Sequence, residues 1–194
     1  HSLRAAMQTS CEDCERIGIK QDGEYRQLNT NILQIANEYY SSVRPKPLLH
    51  GIDRPLKALI NNGVGYIEIR SLDVNPLTSL GIDKPQIHFL EAFLLFCLLQ
   101  DSATISSIEQ FEIDNNDKLV AHKGRQPGLM LSSSGRQTLL QDWGQEIMEQ
   151  IKECAKLLSN EHQQSVEEIS VRIGSPNLTP SAVMLEEMKR EEIG

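Results

Sequence analysis

The sequence predicts an α+β fold in which strands come early in the chain and helices follow. Residues 66–74 are rich in tyrosine, isoleucine and valine, which favour strands, and Pro76 cannot continue a central ladder. Apolar residues at helical spacing then predict an amphipathic helix over 143–158. A Thr-Pro pair marks the start of a last helix, over 180–192, because threonine caps a helix and proline suits its first turn.

The segment Ile87–Leu99 is apolar almost all round and predicts a helix that is buried on most of its circumference. It is too short to cross a bilayer, which needs roughly 20 apolar residues. Within it, His88 and Glu91 are one helical turn apart. We interpret these two as a structural pair rather than as a set of metal ligands.

Turn-forming and helix-terminating residues predict the remaining elements. These elements are a hairpin of 16–20 with 25–28 about Asp22-Gly23, a short helix from Pro55 to Ile60 that stops at Asn61-Asn62-Gly63, a loop at 114–117, and a turn at 124–128. Residues 31–40 fit either a helix or a strand, and the sequence leaves both open.

Charge and cysteine usage exclude several classes of protein. The 194 residues carry a formal net charge of −8, whereas a nucleic-acid surface needs a basic stripe. The two cysteines of the Cys11–Cys14 motif lack a second pair or a histidine at zinc spacing, so we interpret them as structural or incidental thiols. Free thiols and the lack of a signal-type leader predict a cytoplasmic protein with no membrane partner.

Chemistry is concentrated on the strand predicted over 66–74. Alternation places Tyr66, Glu68 and Arg70 on one face, and Ile67 and Ile69 on the other. The charged face fits two interpretations. It is either a solvated ion pair worth under about 1 kcal/mol, or the floor of an active site in which Glu68 holds a metal and Arg70 holds an anion.

No P-loop, dinucleotide-binding glycine pattern, nucleophile elbow or zinc signature is present. Four stretches, in order, nevertheless resemble the glutamate–cysteine ligase family (γ-glutamylcysteine synthetase) of the γ-proteobacterial type. They are Gln27–Tyr40 running into Val43–Lys46, Gly65–Pro76, Gly124–Leu129 and Asn177–Ala182. The resemblance extends from about Glu15 to the end of the chain.

The resemblance implies a glutamine-synthetase-like antiparallel sheet that forms a funnel backed by helices. It implies ATP-dependent ligation of the γ-carboxylate of L-glutamate to L-cysteine through a γ-glutamyl phosphate, the first step of glutathione biosynthesis. ATP and Mg²⁺, or Mn²⁺, are the implied cofactors. By position, Glu68 matches a metal-ligating glutamate, Arg70 an arginine that faces the γ-phosphate, and Tyr40 a tyrosine of the cysteine pocket.

Full-length members of the family are more than twice as long as this chain. The resemblance therefore implies that residues 1–194 are the C-terminal portion of the catalytic domain, with a sheet-bearing part at about 15–76 and a mainly helical part at about 77–194. We expect this portion to be inactive alone and to require the N-terminal portion of the same ligase. The alternatives are a non-catalytic binding or regulatory module that keeps the scaffold, and a small thiol–redox protein.

Overall fold

The computed structural model describes residues 5–35, 41–48 and 55–191. The chain divides into two compact units, His1–Asp73 and Val74–Gly194, and each is described separately below. The α+β class is confirmed, since helices occur with short antiparallel ladders in both units. Within the described ranges, no helix is both long enough and apolar enough to cross a membrane.

The first unit combines short helices with two antiparallel ladders. Its elements are α1 (Glu12–Ile17), β1 (Lys20–Gln21), β2 (Glu24–Tyr25), β3 (Val43–Lys46), α2 (Pro55–Asn62) and β4 (Tyr66–Ile69). The hairpin between β1 and β2 turns at Asp22 and Gly23, whose φ angles are 53° and 83°. Positive φ at both central residues is the requirement of a tight hairpin turn, so the predicted turn is confirmed, although its strands are shorter than expected.

Two other predictions for the first unit have different outcomes. The short helix is confirmed as α2, and Gly63 follows it with a φ of 75°, the left-handed conformation that ends helices. The predicted strand over 66–74 is too long, because β4 ends at Ile69. Asn75, which follows the predicted strand and belongs to the second unit, is buried, and its side-chain amide donates to Gln86 Oε1 at 2.8 Å near the start of a helix.

The second unit is mainly helical. Its elements are α3 (Lys84–Leu99), α4 (Ser107–Lys123), β5 (Met130–Ser133), β6 (Arg136–Leu139), α5 (Leu140–Ala155), α6 (Asn160–Gly174), a 3₁₀ turn (Pro176–Leu178) and α7 (Pro180–Glu191). The helices α3, α5 and α6 pack against one another. Their contact buries Ala92, Met148, Ile151, Ala155 and Val166, with phenylalanines of α3 against them.

The predicted helix at Ile87–Leu99 is confirmed as part of α3, but its predicted burial is wrong at the C-terminal end. Leu98 is 80% exposed and Leu99 is 59% exposed, while Ala92 is fully buried. Helices α5 and α6 cover one side of α3 within this unit, so the apolar residues on its other side stay open. The helix begins at an Asp83 cap whose side chain accepts a hydrogen bond from Gln86 N.

The predicted loop at 114–117 is wrong, because these residues lie inside α4. A capping box between Ser106 and Glu109 starts this helix, and it continues through the Asp/Asn-rich stretch. The Asn116 side chain donates to the Ser132 carbonyl at 2.7 Å and accepts from the Ser132 N–H at 2.9 Å. That residue therefore joins α4 to β5 instead of forming a turn.

Two further elements of the second unit were not predicted from the sequence. The hairpin of β5 and β6 turns at Ser134 and Gly135, whose φ angles are 52° and 74°. Its Ser-Gly pair was an available turn signal. Helix α6 lies in an acidic stretch with few apolar residues, of which only Val166 is fully buried, so its helical period was weak.

Candidate functional site

The candidate site lies on the antiparallel ladder of β3 and β4. Their register places Lys46 opposite Tyr66 and Arg44 opposite Glu68. Directly opposed residues share a face of a ladder, as do residues two apart on one strand. Beyond the end of β4, the Arg70 N–H donates to the Ser42 carbonyl at 2.7 Å, so the paired geometry continues through Arg70.

Glu68 lies between two cations on this face. One carboxylate oxygen, Oε2, is 2.8 Å from Lys46 Nζ, and the other, Oε1, is 2.7 Å from Arg70 Nε. We call these three residues the Glu68 triad. The contacts confirm the prediction that Glu68 and Arg70 project from the same face of the strand.

The triad holds Glu68 in its ionised form. The hydrogen bond from Lys46 is the largest cause and lowers the pKa of the Glu68 carboxyl. Desolvation opposes it, and the hydrogen bond and charge of Arg70 add to the lowering, so the net shift is downward. A lowered pKa in the folded state stabilises the fold at pH values above the unfolded-state pKa. That contribution is lost as the pH falls through the folded-state pKa.

Both faces of the ladder are partly shielded from water. The Lys46 and Glu68 side chains are 28% and 32% exposed, whereas Tyr66 on the same face is 53% exposed. On the other face Ile69 is half-buried, and Val43 and Ile67 are 47% and 45% exposed. The paired charges of Lys46 and Glu68 are therefore among the better-shielded groups of the ladder.

The donor set of the triad fits part of a magnesium–phosphate site. Mg²⁺ prefers oxygen ligands and is bound through one or two carboxylates together with substrate phosphates, and Glu68 offers one such carboxylate. Within the ranges 5–35, 41–48 and 55–191, no group of three ligating side chains includes Glu68. The described residues thus supply one ligand, and the guanidinium of Arg70 has the planar fork that suits phosphate oxygens.

The remaining family-like stretches lie partly within the described residues. Tyr40 lies outside them. In the stretch that precedes it, the Gln27 side chain donates to the Cys14 carbonyl at 2.6 Å, and the Asn31 side chain donates to the Met7 carbonyl at 2.7 Å. In the second unit, residues 124–129 line a mainly apolar cleft of about 180 Å³.

Lys46 is the residue that sequence reasoning did not place in the site. The one sequence feature that could have indicated it is its position at the end of Val43–Lys46, which continues the first family-like stretch. Only the register shows that this lysine lies diagonally across from Glu68, two positions away from the directly opposed Arg44.

Comparison with known proteins identifies the family. The family model for glutamate–cysteine ligase matches residues 1–120. This chain belongs to the glutamate–cysteine ligase family. It is 44% identical over 193 residues to the glutamate–cysteine ligase of Pseudomonas paraeruginosa, an alignment that covers 97% of this chain and 36% of that protein. It is 42% identical over 195 residues to the glutamate–cysteine ligase of Shewanella pealeana, an alignment that covers 98% of this chain and 37% of that protein.

A solved glutamate–cysteine ligase gives the same result in three dimensions. The Francisella tularensis enzyme, crystallised in complex with AMP, superposes with a TM-score of 0.85 at 36% sequence identity. The superposition covers 95% of this chain and 38% of that one. The chain therefore spans a little over a third of the length of the ligases it matches.

Replacing Lys46 by methionine is expected to raise the pKa of Glu68, because the largest cause of its lowering is removed while the aliphatic stem stays. The pKa can be measured from the pH titration of the Glu68 side-chain carbonyl by ¹³C NMR. Lys20→Met serves as the matched control, since the Lys20 ammonium lies over the Tyr25 ring at 4.3 Å instead. An unchanged Glu68 titration in Lys46→Met would contradict the geometry of the triad.

The Cys11–Cys14 motif carries no disulfide, and both thiols are half-buried. Hydrogen bonds from the Cys14 backbone and thiol lower the pKa of Cys11. We expect a full-length ligase carrying Cys11→Ser and Cys14→Ser to keep its rate of ADP release and its metal content. A large loss of activity in a variant that still folds, judged by circular dichroism, would instead assign chemistry to these thiols.

Proposed function

We propose that a full-length ligase containing this chain uses ATP to join the γ-carboxylate of L-glutamate to the amine of L-cysteine, the first step of glutathione biosynthesis. Family membership supports the reaction, and the Glu68 triad is the observation that carries the proposal. Its carboxylate is half-shielded, ionised and flanked by two cations on one face of a ladder. Such a face suits a metal ion and transferring phosphate better than it suits an apolar partner.

The reaction proceeds in two steps. A γ-carboxylate oxygen of glutamate forms a bond to the γ-phosphorus of ATP, the bond from that phosphorus to the bridging oxygen breaks, and ADP leaves. The amine of cysteine then attacks the γ-carbonyl carbon of the acyl phosphate, phosphate leaves with the bonding electron pair, and the amine loses a proton. The first step spreads negative charge over the phosphoryl oxygens, where positioned cations are most effective.

Each triad member has a distinct part in this proposal. Arg70 binds the phosphoryl oxygens through its guanidinium. Glu68 would hold Mg²⁺, or Mn²⁺, which neutralises phosphate charge when bound. Lys46 acts as a positioning residue, because its contact with Glu68 Oε2 fixes the carboxylate and keeps it ionised. Tyr40 is proposed as a contact to the cysteine substrate on the basis of the resemblance alone.

The nucleotide is assigned by analogy. The Francisella tularensis ligase was crystallised with AMP. Nearly the whole of this chain shares the fold of the matching 38% of that ligase. We therefore propose that the full-length protein binds an adenine nucleotide. The relatives are nearly three times as long as their matched part, so further metal ligands and substrate contacts are assigned to the rest of the ligase, and this chain alone is expected to be inactive.

Isotope transfer tests the proposed reaction. A full-length ligase containing this chain is supplied with ATP, Mg²⁺, cysteine and glutamate labelled with ¹⁸O in the γ-carboxylate, and the released phosphate is analysed by mass spectrometry. One ¹⁸O atom per phosphate is expected, because the acyl oxygen leaves with the phosphoryl group. Unlabelled phosphate would overturn the acyl-phosphate route, and no ADP release would favour a non-catalytic module.

A further inference from the structure

A second group of potential ligands lies between α3 and α6, within the second unit, and it shares no residue with the Glu68 triad. In place of the pairing of His88 with Glu91 expected from the sequence, the His88 ring contacts Ser165 and the Glu91 carboxylate contacts His162. One ligand atom each from His88, Glu91 and His162 lies within 4.8 Å of the others. His88 and Glu91 share one face of α3, since they are three residues apart, and His162 lies in the first turn of α6. Nothing in the proposed ligase reaction uses these three residues.

The hydrogen bonds of His88 leave one ring nitrogen available as a ligand. Ser165 Oγ donates to the Glu161 carbonyl at 2.7 Å, so it accepts from His88 Nδ1, which is 3.1 Å away. With the proton on Nδ1, the lone pair of a neutral ring is on Nε2. An imidazole whose second nitrogen donates to a fixed oxygen is the usual arrangement of a metal-binding histidine.

His162 can adopt the same form. Its Nε2 lies 2.6 Å from Glu91 Oε2, and its Nδ1 lies 2.7 Å from Ser159 Oγ. In the apo form Nε2–H donates to the carboxylate. If the proton moves to Nδ1 and Ser159 Oγ becomes its acceptor, Nε2 is released as a ligand without any change in the charge of a neutral ring.

One further carboxylate lies beside the three residues. Glu161 Oε2 is 3.9 Å from His88 Nε2 and is held by Lys84 Nζ at 2.9 Å. Both imidazoles are largely shielded, with side-chain exposures of 12% and 15%, whereas Glu91 is 56% exposed. Two imidazoles and a carboxylate form a donor set that suits Zn²⁺ or a similar transition-metal ion better than Mg²⁺.

The distances show what must move for an ion to enter. Tetrahedral bonds of about 2.0–2.1 Å place two ligand atoms about 3.3 Å apart, so the Glu91 carboxylate must withdraw from His162 by less than 1 Å. The two rings are stacked with centroids 4.3 Å apart and an interplanar angle of 24°, so their lone pairs lie in nearly parallel planes and one ring must also turn to aim at a shared ion. Glu91 can withdraw because its side chain projects into solvent.

We propose that His88, Glu91 and His162 form a binding site for a transition-metal ion of the Zn²⁺ type that links α3 to the first turn of α6. The fourth position is left to water or to Glu161. Because the ligands come from two packed helices, the bound ion stabilises the second unit.

Zinc titration of this chain in a tag-free Cys11→Ser/Cys14→Ser background tests the proposal, since those thiols are rival ligands. Calorimetry should give one Zn²⁺ per chain, and Co²⁺ should show the visible absorption of a four-coordinate site without thiolate bands. At zinc about 100 times its Kd, we expect Tm to rise by about 5 °C or more. A tenfold excess of Mg²⁺ should not displace the ion.

Matched histidine variants locate the site. His88→Gln and His162→Gln should each weaken zinc binding by at least tenfold, whereas His122→Gln, at the exposed end of α4, should not. If a histidine variant fails to fold, Glu91→Gln replaces it, because that side chain projects into solvent. Unchanged binding in the cluster variants, or no zinc binding by the parent chain, would overturn the proposal. Neither readout involves ligase activity, so the two proposals fail independently.

Discussion

Arg70→Lys in a full-length ligase is expected to lower kcat by on the order of 10²-fold, with a smaller change in KM for ATP. Lysine keeps the positive charge but loses the planar fork with which, in the proposed mechanism, Arg70 binds two phosphoryl oxygens at once. In the structure that fork is anchored by Glu68 Oε1, 2.7 Å from Arg70 Nε. Steady-state ADP release measures both constants.

A magnesium titration separates the role of Arg70 from that of Glu68. Glu68→Gln removes a ligand charge and leaves the shape, so excess Mg²⁺ should restore part of its rate, whereas Arg70→Lys should not respond. Arg16→Lys is the matched control, since Arg16 is exposed on α1 and pairs with Asp13. Near-parental turnover in Arg70→Lys, or equal rescue of both variants by magnesium, would remove Arg70 from its assigned role.

Ile151→Ala is expected to destabilise this chain by about 2–5 kcal/mol, the cost of lost burial together with a cavity. Ile151 is 2% exposed and lies on α5 among Ala92, Met148 and Val166, where α3, α5 and α6 meet. Urea unfolding followed by circular dichroism gives the free energy of unfolding.

The control for that measurement removes a side chain of the same size from the surface. Leu98 is 80% exposed near the end of α3, so Leu98→Ala should change the free energy of unfolding by no more than about 0.5 kcal/mol. If the two variants unfold at similar urea concentrations, the three-helix contact is not the core of the second unit. The open end of α3 would then contribute as much as Ile151 does.

Elements with a strong period or a strong stop signal were predictable from the sequence. The helix predicted at 143–158 and the turn at Asp22-Gly23 both follow from local rules. The turn is present, and the helix is α5, which begins and ends three residues earlier than predicted, at Leu140–Ala155. Helix α4 was not, because its Asp/Asn-rich stretch has poor helix propensity, and its capping box and the Asn116 contacts with Ser132 outweigh that preference. Tertiary contacts of this kind cannot be recognised from the spacing of apolar residues along the sequence.

The same limit applies to the candidate site. Side-chain alternation along one strand was enough to place Glu68 and Arg70 on one face. The position of Lys46 depends on the register between β3 and β4, which are separated by a long connection, and no single-strand pattern encodes it. His162 is likewise 71 residues from its partner Glu91, so the second group of ligands becomes visible only after folding.

Pro45 in β3 affects how this ladder behaves towards other chains. The Arg70 N–H bond to Ser42 makes positions 42 and 70 a bonded pair, and bonded pairs alternate with non-bonded ones, so Pro45, opposite Ile67, has its nitrogen directed away from β4. A proline there costs the ladder no bond and removes a donor from the outer edge of the strand. With Arg44 and Lys46 on either side of it, this edge of β3 is a poor template for the edge-to-edge pairing that starts aggregation, even though Val43 and Ile67 on the other face of the ladder are exposed.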